Sequence, residues 1–315
     1  MTTLGTSGLE IHPVVLGGNT FGWTSDESES RRVLDAFLES GGGLVDTADS
    51  YSAWVEGHKG GESERVIGSW LAGRGRRDDV LIATKVSRHP EFPGLSAANV
   101  KAAAEASLKR LETEHIDIYY AHFDDPETPL EETVGAFDAL VREGKVRYVG
   151  VSNYGPDRLR RWLEIAEEAG AALPVVLQPH YSLVHRRTVE PGLRDIAVQA
   201  GIGMVPYYAL ASGFLTGKYR TESDLVGRAR AGAVGRHMGP EGLAVVDRLV
   251  EIADAHGVAP ATVALAWVLG RPGVAGVLAS ARTTEQLPAL MDAARVSLSE
   301  QEADALTRAS DAVGG

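Results

Sequence analysis

The feature that most constrains this chain is a recurrence. Eight short apolar runs rich in Val, Ile and Leu lie at Val14–Leu16, Gly43–Val45, Val80–Thr84, Ile116–Ala121, Val146–Val151, Val175–Leu177, Gly203–Pro206 and Val274–Leu278. A polar or glycine-containing loop and a stretch of helical periodicity follow them. The segments Ser28–Ser40, Ser63–Ala72, Ala97–Leu111, Leu130–Arg142 and Asp157–Ala169 are amphipathic, as crossover helices of parallel βαβ units must be. The expected strand ends, Asp46, Lys85, His122, Ser152 and Gln178, are each separated by about one strand plus one helix. Eight such units without a break in composition predict an α/β fold closed into a (β/α)8 TIM barrel rather than a doubly wound sheet. No linker or low-complexity tract intervenes, so residues 1–315 read as a single domain.

Two stretches break the rhythm. Thr2–Gly5 and Leu9–His12 flank a glycine-containing turn, which predicts an N-terminal β-hairpin over the barrel floor. The interval between strands seven and eight is longer than the others and contains Tyr219–Gly239, rich in Gly, Arg and Ala. It reads as a long loop, either a lid or a surface insertion.

Composition narrows the chemistry. With 44% hydrophobic and 23% charged residues the chain is globular in type. It has no cysteine, which removes disulfides, thiolate metal ligands and a thiol nucleophile together. A net charge of −12 speaks against a nucleic-acid surface. No apolar run approaches the ~18 residues of a membrane span. The opening MTTLGTSGLEIHPVVLGG lacks the basic and apolar regions of a signal, so a cytoplasmic protein is the expectation.

In a barrel, polar residues at the C-terminal ends of consecutive strands converge on one mouth, where active sites form. Here those residues are Asp46, Lys85, His122, Ser152, Asn153 and Gln178, with Tyr51 following Asp46 in the same loop. A phenol with a pKa of about 10 becomes a tunable acid beside an ammonium, which favours the phenolate. Lys85 is placed to be that ammonium, and Asp46 on the adjacent strand to keep it charged and oriented. His122 is placed to donate a hydrogen bond to a substrate carbonyl oxygen beside the phenol of Tyr51. Singly, each residue has an ordinary reading as a loop cap, an ion-pair member or a packing ring. All four types on three adjacent barrel units describe an acid-catalytic device. Phe21, Trp23, Trp54 and Phe123 lie near strand ends on the mouth side. They are candidates for a substrate pocket suited to apolar or aromatic carbonyl compounds, with packing as the alternative. His89, His180, His185 and His237 read as ordinary, and no pair has the spacing of a helical metal motif, so no metal site is expected.

The stretches LVDTADSY, GGESERVIGSWL, VLIATKV, ASLKRLETEHIDIYYAHFDDPETPLEETVGAFDALVREGKVRYVGVSNY, LQPHYSLVHR, YYALASGFLTGKY and SARTTEQL together resemble the aldo-keto reductases. The likeness runs in order from Leu16 to about Leu287. It implies an eight-stranded barrel without a Rossmann fingerprint, in keeping with the missing G-x-G-x-x-G, and NADP(H)-dependent carbonyl reduction, with NAD(H) as the second possibility. Asp46, Tyr51, Lys85 and His122 fall on the family's catalytic tetrad. By the same resemblance Ser152, Asn153 and Gln178 hold the nicotinamide carboxamide and Tyr207 stacks on its ring. Tyr208, Leu210, Ser212 and Lys218 lie in the segment that wraps the pyrophosphate, and Ser280, Arg282 and Gln286 in the segment at the adenosine end, with Arg282 placed for a 2′-phosphate. The chain departs from the family in reading Tyr207-Tyr208-Ala209-Leu210 where relatives usually read Tyr-Ser-Pro-Leu, in Ala279 and Ser280, and in Leu290 where many carry Asn. The expected partner is a small-molecule carbonyl substrate, with neither nucleic acid nor membrane and the oligomeric state open. Two alternatives stand beside the reductase. One is a non-catalytic cofactor-binding relative of the kind that regulates membrane channels. The other is a barrel hydrolase with a metal on Asp46, His122 and Asp124, in which Lys85 would repel the cation.

Overall fold

A computed structural model describes residues 1–228 and 230–313. Ala229, inside the Tyr219–Gly239 stretch, and the final Gly314 and Gly315 lie outside the described residues. The eight expected strands are present as β1 (Val14–Gly17), β2 (Leu44–Asp46), β3 (Leu81–Val86), β4 (Ile116–Ala121), β5 (Val146–Ser152), β6 (Pro174–Gln178), β7 (Gly203–Met204) and β8 (Val277–Ala279). They pair in parallel in chain order, and β8 pairs with β1. The ring closes between β7 and β8 through a parallel bridge from Met204 to Val274 and a hydrogen bond of 2.9 Å from Leu278 N to Pro206 O. The fold is therefore a (β/α)8 barrel. Pro206, which has no N–H to offer a ladder, follows the short β7.

Helices α1 (Glu27–Glu39), α2 (Glu62–Arg74), α3 (Ala97–Arg110), α4 (Leu130–Arg142), α5 (Pro156–Ala169) and α6 (Leu193–Gln199) follow β1 to β6 and cover the outside of the barrel. Their boundaries follow local chemistry. Asp26 caps α1 by accepting the N–H of Glu29 at 2.8 Å, and Pro156 opens α5 while Gly170 ends it in the left-handed region. In α4 the residues Leu130, Val134, Phe137 and Leu140 recur at helical spacing and are all buried.

Between β7 and β8 the chain makes 3-10 turns, a short helix α7 (Ala231–Gly235), and then the long helices α8 (Pro240–His256) and α9 (Pro260–Leu269). Residues Ala261 to Val268 of α9 are buried without interruption, so this helix has no polar face and shows no periodicity in the sequence. The short helix α10 (Leu287–Met291) and the C-terminal helix α11 (Glu300–Asp311) complete the wall. A hairpin of Arg88–His89 with Phe92–Pro93 after β3 carries no strand signal of its own.

Strand alternation divides the core in two. Leu44, Ala83, Ile118, Tyr120, Val176 and Val205 belong to the barrel interior, while Val45, Ile82, Tyr119, Val149 and Leu177 face the helices. Gly150 leaves the space that Tyr120 fills, since a Cβ there would lie 2.5 Å from the Tyr120 ring. The N-terminal hairpin is present as Thr2–Thr3 paired with Glu10–Ile11, and its Leu4 and Ile11 join the interior cluster. Gly5, at φ +54, brings its backbone so near the floor that a Cβ would sit 2.3 Å from Val175 O. The barrel is thus plugged at one end.

Leu4 is fully buried in that plug. Leu4→Ala is expected to lower unfolding stability by about 2–4 kcal/mol in urea denaturation. A loss below about 0.5 kcal/mol would show that the hairpin is not part of the core.

Candidate active site

The alternation that sends Leu44, Ala83, Ile118 and Val176 inward sends Asp46, Lys85, His122 and Gln178 inward two or four residues later, at the open end. Register aligns them: Asp46 pairs with Ala83, Lys85 with Tyr120 and Gln178 with Ser152. Lys85 Nζ, with no exposed surface, donates to Asp46 Oδ2 at 2.5 Å, Thr47 O at 2.7 Å and Tyr51 Oη at 3.0 Å. Three oxygens around one ammonium use all its protons. The other Asp46 oxygen, Oδ1, accepts from Gln178 Nε2 at 2.8 Å. The His122 ring stands edge-on to Tyr51, with centroids 6.2 Å apart, and its Nδ1 is buried without a hydrogen-bond partner. The four residues expected to meet do meet.

Electrostatics gives each group a protonation state. Burial pushes the Tyr51 phenol well above its ordinary value, and the Asp46 carboxylate adds to the shift. The expectation that Lys85 makes this phenol a readier acid is corrected here: burial wins, and the phenol holds its proton. Burial also raises Asp46 and lowers Lys85, against the attraction between them. Burial, followed by the charges of Lys85 and Arg88, drives His122 well below its ordinary value, so the imidazole is neutral.

The residues expected at the cofactor side form a second group. Asn153, in the left-handed region at φ +57, donates from Nδ2 to His122 O at 2.8 Å and to Ser152 Oγ at 3.0 Å, and accepts from the Tyr207 hydroxyl at 2.7 Å. Ser152 Oγ donates to Gln178 O. Tyr208, Ala211 and Ser212 are also left-handed, a concentration of strained non-glycine backbone in one loop. Tyr208 is half exposed, Leu210 is partly buried, and Lys218 is exposed. After β8, Ser280 Oγ donates to Asn19 Oδ1 at 2.7 Å, Gln286 Oε1 accepts the Arg282 N–H at 2.8 Å, and the Arg282 side chain is exposed. Leu290 is buried in the core.

The pocket candidates divide. Trp54 is 55% exposed and stands edge-on to Trp23 at 5.5 Å and to Tyr51 at 6.2 Å, and Phe123 lies 4.9 Å from the His122 ring. Phe21 is a correction. It is fully buried because its loop turns back, with Phe21 N donating to Gly18 O, and it offers no surface to a ligand. The hydrolase alternative has no ligand set either. Asp124 is held in two hydrogen bonds by Arg158, and no three His, Cys, Asp or Glu side chains converge as metal ligands among the described residues.

Two residues went unassigned in the sequence. Arg230 is largely buried, its Nη2 has no hydrogen-bond partner, and it lies within the electrostatic reach of Arg282 and Tyr208. The usable signal was an arginine-rich stretch after strand seven, on the side where barrels bind phosphate. His180, read as ordinary, stacks between His185 at 3.8 Å and Tyr207 at 5.3 Å. Burial, with His185 and His237 nearby, lowers it to about 4.

Because His180 is depressed in the folded state, its contribution to stability is complete above the unfolded value of about 6.5 and is lost as pH falls toward 4. His180→Phe keeps a flat ring without a titrating group. Its Tm should therefore fall less steeply than the wild type between pH 7 and 4. Parallel slopes would contradict the assignment.

The sequence model of the aldo/keto reductase family matches residues 13–311. The chain is 34% identical to an uncharacterized oxidoreductase, YrpG, of Bacillus subtilis (strain 168), over 95% of this chain and 92% of that protein. It is 32% identical to protein tas of Escherichia coli (strain K12), over 93% of this chain and 92% of the relative. It is 31% identical to a probable voltage-gated potassium channel subunit beta of Arabidopsis thaliana, over 93% and 90%. With that match over nearly its whole length on a (β/α)8 barrel, the chain belongs to the aldo/keto reductase family.

Proposed function

We propose that the protein reduces an aldehyde or ketone with a nicotinamide dinucleotide, NADP(H) in preference to NAD(H), using Tyr51 as the proton donor. The observation that carries this reading is the Tyr51 hydroxyl 3.0 Å from a buried ammonium that is itself held by Asp46, beside a neutral imidazole.

The residues present fit the dinucleotide. In an acidic protein, Arg230, Arg282 and Lys218 are cations near the β7 and β8 loops that take part in no ion pair among the described residues, and the buried Arg230 Nη2 lacks any partner. A buried, unpaired guanidinium is costly unless an anion joins it. Arg230, Lys218, Ser212, Leu210 and Tyr208 would hold the pyrophosphate segment, and Ser280, Arg282 and Gln286 the adenosine end with its 2′-phosphate. Ser152, Asn153, Gln178 and Tyr207 would hold the nicotinamide end. Bound there, the dinucleotide supplies the hydride.

The chain supplies the proton. His122, neutral, donates a hydrogen bond to the carbonyl oxygen and so polarises it without giving up its own proton. Tyr51 keeps its proton until negative charge builds on that oxygen, and then transfers it. Lys85 stabilises the phenolate left behind, and Asp46 holds the ammonium on line. Trp23 and Trp54 supply an apolar wall for an aromatic or apolar substituent.

Tyr51→Phe should lower kcat for an aromatic aldehyde by about 10²–10⁴-fold while NADPH binding, followed by fluorescence, changes little. Full turnover in this variant would remove Tyr51 as the donor. With the phenol shifted up and the imidazole shifted down, both stay in their working forms across neutral pH. The reductive rate should therefore be level from about pH 6 to 9 and fall only above it. A rate that collapses on acidification near the ordinary histidine value would contradict this.

The likeness to a probable potassium channel subunit beta supports a second reading, a cofactor-binding regulatory role. It predicts NADPH binding without carbonyl-dependent oxidation in the same assay.

A further inference from the structure

One cation at the mouth sits away from the phosphate side. Arg88 follows β3, which lies across the barrel ring from β7, the strand before the loop that carries Arg230 and Lys218. The chain reaches it through an unusual turn. Ser87, a non-glycine residue at φ +128, swings the backbone off the strand, and its Oγ accepts the N–H of Phe123 at 3.2 Å. Two strand ends are thereby tied together. Arg88 then opens the hairpin that pairs with Pro93, and its guanidinium carbon lies 4.2 Å above the Phe123 ring. Phe123 in turn lies 4.9 Å from the ring of His122.

This arrangement leaves a charge to spare. Arg158, on the helix after β5, has its guanidinium committed to Asp124 at 2.7 Å and 2.8 Å. Arg88 is exposed and joins no ion pair among the described residues. Stacking on an aromatic face fixes the plane of a guanidinium while leaving its edge donors open, which is the form that binds a carboxylate through two parallel hydrogen bonds. Its distance from the reacting centre is set by a single intervening ring.

On the reductase reading above, the geometry points to Arg88 as a specificity residue that recognises a carboxylate at the far end of an aromatic carbonyl substrate whose carbonyl faces Tyr51 and His122. The favoured substrates are then aromatic oxo-acids rather than neutral aldehydes. The wall of Trp23 and Trp54 takes the ring, and Arg88 takes the anion.

The test compares 4-carboxybenzaldehyde with its neutral methyl ester, using wild type, Arg88→Met and Arg88→Lys with NADPH. Wild type is expected to favour the acid by about three- to fivefold in kcat/KM, the size appropriate to a rim-exposed ion pair. Arg88→Met should remove that preference, chiefly through KM for the acid, while the ester is turned over within about twofold of wild type. Arg88→Lys should keep part of it. Equal use of acid and ester by the wild type, or an equal fall for both in Arg88→Met, overturns the inference and leaves the reductase reading intact. Absence of turnover with either compound overturns both.

Discussion

The rest of the site hangs on the ammonium of Lys85, which has no exposed surface and is held by three oxygens. A charge in such a place is tolerated only with good geometry and full hydrogen bonding, because desolvation opposes it strongly. Asp46 supplies the opposite charge, Thr47 a backbone carbonyl and Tyr51 its phenol oxygen. Gln178 donates to the other oxygen of Asp46 from across the barrel. The cost of burying the ion pair is thus tied to holding Tyr51 in one position, and the element that is expensive for stability is the one that orients the acid.

Barrel geometry makes this possible. Inward residues of short parallel strands stack in layers, and the layer above Leu44, Ala83 and Val176 is the polar one. The hairpin seals the opposite end with Leu4 and Ile11, and the buried ammonium with its three oxygens lies at the mouth. Around the rim the functions separate by strand: the cations near β7 and β8 face one side, the aromatic and guanidinium groups near β1 to β4 the other. Left-handed non-glycine backbone at Ser87, Asn153, Tyr208 and Ser212 lies in the segments that follow β3, β5 and β7.

Much of this was legible in the sequence. The strands and the first five helices followed from apolar runs and helical spacing, and Asp46, Lys85 and His122 from their places at strand ends. Other features resisted for physical reasons. The helix α9 is buried all round and has no periodic signal. Phe21 lies past a strand end but in a loop that folds back on Gly18, so chain position misled. The shift of Tyr51 comes first from burial, to which the Asp46 carboxylate adds, and residue types alone do not give the burial. Arg230 sits in a long loop whose path no local pattern specifies, and the stack of His185, His180 and Tyr207 joins loops that are distant in sequence.

In the proposed reaction this mouth passes hydride to a carbonyl carbon while the chain protonates the oxygen. Tracing the label is the most direct measurement: NADPH deuterated at C4 of the nicotinamide, on the transferred face, is incubated with protein and an aromatic aldehyde, and the alcohol is examined by mass spectrometry and NMR. One deuterium is expected on the carbinol carbon of each product molecule. Product without deuterium at that carbon for either face of the labelled ring, or cofactor bound tightly with no alcohol formed, would contradict it.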